Sequence, residues 1–110
     1  MKSEHWRETE ILNGKFNLIT DLTEFRMSLW VVSFGLNDNA SGEIILEPVS
    51  YFNLDKHEEK GNELAIKFRI YPDGARHYDV NINPLNRTFE YRGETIELTK
   101  FHETFDTNIP

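Results

Sequence analysis

The chain contains no cysteine, and that single absence removes several options. A small domain without thiols cannot reinforce a thin core with disulfides. Cys-ligated zinc and iron–sulfur centres are excluded, and so is a thiol nucleophile. Bases are also scarce: 12 Lys and Arg stand against 19 Asp and Glu, which leaves a net charge of −7. Such a chain is repelled at long range by phosphate backbones and by anionic lipid. Neither nucleic acid nor a membrane surface is therefore expected as a partner, whereas a basic protein surface is. Long apolar runs are missing too. The longest is Leu29-Trp30-Val31-Val32, far short of a bilayer span, and residues 1–8 offer no apolar stretch of a signal-peptide kind. The expected location is cytoplasmic, where the sequons Asn39-Ala40-Ser41 and Asn86-Arg87-Thr88 carry no sugar.

What is present suits one core. The 110 residues include eight Phe, four Tyr and two Trp, and 38% are hydrophobic. At this length folding removes about two-thirds of the chain's surface from water, enough for a single domain over residues 1–110. The tail beyond about residue 103 is expected to be less ordered.

Turn signals recur at short intervals: Asn13-Gly14, Asn37-Asp38-Asn39 with Gly42, Gly61-Asn62, Pro72-Asp73-Gly74, Asn83-Pro84 and Arg92-Gly93. Each supplies a residue that tolerates positive φ or fixes a turn. The clearest segment between them is Glu63 to Tyr71, where Leu64, Ile66, Phe68 and Ile70 alternate with Ala65, Lys67 and Arg69. Period two with one polar face predicts a half-buried strand. Tyr78, Val80 and Ile82 continue the pattern within His77 to Asn83, so the two segments should pair as an antiparallel hairpin. Thr88 to Tyr91 and Thr95 to Phe101 predict a second hairpin around Arg92-Gly93. Glu8 to Leu12 and Lys15 to Ile19 flank Asn13-Gly14, a strong hairpin signal.

Around Trp30 both strand faces are apolar, which predicts a central strand. A helix is the competing reading for residues 21–30, because Leu22, Phe25, Leu29 and Val32 fall at helical spacing and Asp21 with Glu24 can cap. The β-prone run Trp30 to Phe34 favours the strand. Glu43 to Leu54 should be extended, and Pro48 confines that stretch to an edge or a bulge. Asp55 to Asn62 reads as a charged loop. The expected class is mainly β: an antiparallel meander of about seven strands forming a small barrel or sandwich, with one short helix near residues 21–30 as the variant.

Motifs for chemistry are sparse. The histidines, His5, His57, His77 and His102, show no metal-ligand spacing among themselves, and no metal or other cofactor is expected. His77 and Asp79 share one strand face and are the one local pair able to position a general base. The bland reading is a solvated polar face. Gly-x-Ser-x-Gly and phosphate-loop patterns are absent. Asn37 to Gly42 lacks the ligand spacing of a calcium loop and reads as a hairpin turn.

A charge bias is more informative. From Asp21 to Asp55 there are six acids against one base, Arg26, a local net charge of −5. The same stretch holds Phe25, Trp30, Phe34, Tyr51 and Phe52. Aromatic anchors amid acids fit an interface for a basic partner. The candidate contact set is Trp30, Asp38, Glu43, Glu47, Phe52 and Asp55. The bland alternative is that the aromatics are core and the acids solubilise. In these general features the chain resembles bacterial immunity proteins, which neutralise a cognate toxin such as a basic nuclease. That resemblance implies a small acidic cytoplasmic binding protein and assigns no residues. The alternative is a ligand-binding or catalytic β-barrel with its site near His77 and Asp79, joined by Tyr78 and Tyr91.

Overall fold

The structure, a computed structural model, describes residues 4–24, 30–71 and 76–106. Nine strands are found among them: β1 (Arg7–Ile11), β2 (Phe16–Glu24), β3 (Trp30–Asp38), β4 (Ile44–Leu46), β5 (Phe52–Lys60), β6 (Glu63–Ile70), β7 (His77–Asn83), β8 (Thr88–Tyr91) and β9 (Glu94–Glu97). A 3₁₀ turn, Leu98–Lys100, leads into a helix α1, Phe101–Asp106. The strands form two antiparallel meanders, β1-β2-β3-β4 and β5-β6-β7-β8-β9. The sheets are not closed into a barrel and instead pack around a shared core. Nine strands stand where about seven were expected; the stretch from Glu43 divides at Pro48 into β4 and β5, and the charged residues Asp55–Lys60 lengthen β5 instead of looping.

The β6–β7 alternation is realised in full. Leu64 lies opposite Ile82, Ile66 opposite Val80 and Phe68 opposite Tyr78. Leu64, Ile66, Phe68, Val80 and Ile82 are all buried. The second hairpin forms around Arg92 and Gly93, both at positive φ (52° and 81°), as a two-residue turn matched to strand twist requires. The extended stretch ends at Glu97, however. Leu98, Phe101 and Phe105, all buried, recur at helical spacing and turn the chain into α1. The chain is thus helical through Asp106, past the expected start of the loose tail.

In the first sheet β2 and β3 pair from Phe16–Asp38 to Glu24–Trp30. Residues 21–24 and Trp30 are strand, not helix, and residues 25–29 lie outside the described residues. As expected of a central strand, β3 buries both faces: Val31, Ser33, Phe34, Gly35 and Leu36 are covered. Past β4 the chain folds over Gly35, laying the Leu46 carbonyl and the Pro48 ring on it.

β5 runs beside β3 and ties the sheets together. Near one end Val32 N–H donates to Asn53 Oδ1 at 2.9 Å. Near the other, Leu12 N–H donates to Glu59 Oε1 at 2.7 Å. Asn53 is buried and its Nδ2 donates to Asp55 at 2.9 Å. Replacing it by alanine strands the Val32 donor and should cost about 1–3 kcal/mol in denaturant unfolding. A loss under about 0.5 kcal/mol would show that water replaces the amide freely.

Candidate functional site

The six candidate contact residues part into three groups. Phe52 is fully buried, stacked on Phe68 at 5.6 Å and 15°. It belongs to the core because the chain re-enters a sheet at that residue, and it presents no surface to a partner.

Asp38, Glu43 and Asp55 carry charges already matched within the chain. Asp38 Oδ1 accepts from Ala40 N–H at 2.9 Å, and its backbone closes the turn to Gly42 and Glu43. Its Oδ2 lies 3.5 Å from Arg87 Nη2, and Glu43 Oε1 lies 2.9 Å from Arg87 Nη1. One guanidinium from the β7–β8 turn thus pins the β3–β4 turn. Asp55 is the extra residue at a bulge in β5. Its carboxylate takes a two-pronged pair from Arg69, at 2.9 Å from Nε and 2.8 Å from Nη2, with His77 Nε2 at 3.7 Å. The Asp55 hydrogen bond raises the Arg69 pKa above its ordinary value, with partial burial acting in the opposite direction. For Arg69 the raised pKa stabilises the fold at every pH below its ordinary value, and that contribution is lost only as pH rises through the raised one.

Trp30 and Glu47 remain open. Trp30 is 47% exposed and, among the described residues, the one aromatic in the exposed class. It sits at the rim of the β2–β3 hairpin, directly opposite Glu24 and diagonal to exposed Leu22. The His5 ring meets it edge-on at 6.2 Å, with Glu4 Oε1 3.6 Å from His5 Nε2. Glu24 thus stands across the hairpin from the indole, and Glu4 lies beyond the His5 ring that meets it. Leu22, Glu24 and His5 are not among the contact residues expected from the sequence, where Leu22 and Glu24 figure only in the helical reading of residues 21–30 and in the charge count; pairing β2 with β3 in the observed register places both beside Trp30. Glu47 is exposed and forms no ion pair among the described residues.

The His77–Asp79 alternative finds a different geometry. Both lie on the outer face of the second sheet, but His77 is directed to Asp55, and Asp79 lies opposite Lys67. Tyr78 turns inward onto Phe68 and Phe105, and Tyr91 also packs on Phe105. Among the described residues no group of three His, Asp or Glu could hold a metal ion. A shallow groove of about 360 Å³ opens on this face, lined by Lys56, Lys60, Lys67 and Asp79 among others; His77 is outside it.

No protein-family model, no curated protein and no solved structure matches this chain. No helix among the described residues is long and apolar enough to cross a membrane.

Proposed function

We propose that the protein is a stoichiometric binding module for a basic protein partner, acting in the cytoplasm in the manner of an immunity protein. The observation that carries this reading is the exposed Trp30 beside Leu22, with Glu24 across the hairpin and Glu4 beyond the His5 ring. A tryptophan left half in water costs apolar exposure that the core, which holds seven buried phenylalanines, does not impose on any other described ring. Partners bury such anchors at interface centres, where they dominate the binding energy. Carboxylates around the anchor attract a basic surface before contact. Of the residues expected from the sequence, Trp30 and Glu47 stay in this reading. Asp38, Glu43 and Asp55 serve the fold first, and only their residual field reaches a partner.

The test is affinity capture from the native cell with the wild-type chain and with Trp30→Ala. The wild type should retain a basic protein in near-equal amount, and Trp30→Ala should retain at least tenfold less, since a hot-spot aromatic is worth 2 kcal/mol or more, roughly a factor of thirty. Equal retention by the two, or a partner whose contact surface is acidic, would overturn the proposal.

A further inference from the structure

The outer face of the second sheet carries a feature that partner docking at Trp30 leaves unused. Along β6 the outward residues are Glu63, Ala65, Lys67 and Arg69. Ala65 alone among them is short, and the groove lies over it. The register sets its neighbours. Glu58 and Asn81 are directly opposite it on either side. Lys56 and Lys60 are diagonal to it on β5, and Lys67 is two residues along its own strand, all within about 8 Å at the Cβ atoms by sheet geometry. Asp79 closes the remaining corner, opposite Lys67.

Three ammonium groups thus surround one hollow in a chain of net charge −7. Among the described residues none of the three forms an ion pair. Lys56 also lies directly opposite Lys67, a like-charge cross-strand pair that costs stability. Lysines on an outside strand commonly guard it against edge pairing, which accounts for Lys56 and Lys60. Lys67 lies on an inner strand between Lys56 and Asp79, so this row sets two ammonium groups against one carboxylate. Acids outnumber bases in this chain, yet the row facing Lys56 holds a second lysine. The groove volume falls at the lower end of the small-molecule range. Lysine suits phosphate as a mobile point charge, while Glu58, Asp79 and the Asn81 amide offer acceptors to hydroxyl groups.

We propose that this groove binds a small phosphate monoester: Lys56, Lys60 and Lys67 hold the phosphate over Ala65, and Glu58, Asp79 and Asn81 take hydroxyls of the organic part.

Titration of the ¹⁵N-labelled chain with a hexose monophosphate tests this, with the free hexose, inorganic phosphate and a glutamate-rich peptide as parallel probes. The expected result is saturable shifts at the amides of Lys56, Ala65, Lys67 and Asn81 with the monophosphate and none with the hexose. Inorganic phosphate should bind at least fivefold more weakly than the ester. The Lys56→Gln/Lys67→Gln double variant should weaken ester binding at least tenfold, and Ala65→Leu, which fills the hollow from the solvent side, should do the same. Both variants are read by their spectra to retain the fold. Absence of saturable shifts at millimolar ester, or an affinity unchanged in the double variant, would overturn the proposal. Tighter binding of the peptide than of the ester would do so too, by making the groove a docking site for acidic chains.

Discussion

Truncation of Phe68 to alanine should lower the free energy of unfolding by about 3–5 kcal/mol. The ring has no exposure and meets five others: Phe34 at 5.4 Å, Phe52 at 5.6 Å, Tyr78 at 5.4 Å, Phe101 at 5.5 Å and Phe105 at 5.0 Å. It thus joins Phe34 of β3 in one sheet, Phe52 of β5 and Tyr78 of β7 in the other, and two rings of α1. Two terms add on truncation. Transfer of the lost ring to water is one, and the cavity left among rings that cannot all close in is the other. Because the five partners come from four different elements, the site collapses poorly, which places the cost in the upper part of that range. Urea unfolding measures it. A loss under about 1 kcal/mol would mean that the register of β6 is wrong and that Phe68 faces water.

Gly35→Ala should cost about 3 kcal/mol, at the upper end of what overpacking does. Away from contacts, alanine for glycine in a strand is favourable by about 0.4–1 kcal/mol, through the unfolded chain. Here a Cβ would overlap the Leu46 carbonyl oxygen and come within 2.9 Å of Pro48 Cδ. Both obstacles are rigid, one a backbone carbonyl and the other a proline ring. Relief requires the crossing chain to lift off the sheet, opening the cover over β3. The clash therefore outweighs the entropic gain and decides the sign. A melting temperature equal to or above that of the wild type would show that residues 46–48 do not lie on Gly35.

Where periodicity and burial coincide, the fold was legible in the residues. Alternation in β6 and β7 fixed a hairpin whose every inward position through Phe68 and Val80 is buried. Two apolar faces around Val31 and Phe34 foretold a central strand, and Pro48 pointed to an edge, where β4 lies, although the chain leaves the sheet there instead of staying extended to Leu54. Where two periods overlap, it was not. Ile96 and Leu98 continue a strand pattern, while Leu98, Phe101 and Phe105 form a helical one; the helix prevails because it carries Phe101 and Phe105 into the ring cluster about Phe68. Asp55 to Lys60 reads as a loop because its residues are charged, yet an outside strand with one wet face tolerates that composition.

The site was less legible for a related reason. Charges count equally in a sequence, whether or not a counter-charge waits elsewhere in the fold. Asp38 meets Arg87 from 49 residues away and Asp55 meets Arg69 from 14, and both pairings depend on how the turns and strands come together. Trp30 and Phe52, similar as aromatic candidates, separate only when the sheets pack: one lies at the rim of a hairpin and the other at the centre of the core.

The most direct measurement of the docking account is the pair of rate constants for the captured partner, with the wild type, Trp30→Ala and Glu47→Lys, at low and at high salt. Exposed charges are screened beyond about 8 Å at physiological ionic strength. Association of the wild type should therefore slow at least tenfold as salt rises, with dissociation nearly unchanged. Glu47→Lys should slow association, and Trp30→Ala should speed dissociation at least tenfold while leaving association within about twofold. An association rate indifferent to both salt and Glu47→Lys, or a dissociation rate unaltered by Trp30→Ala, would contradict the account.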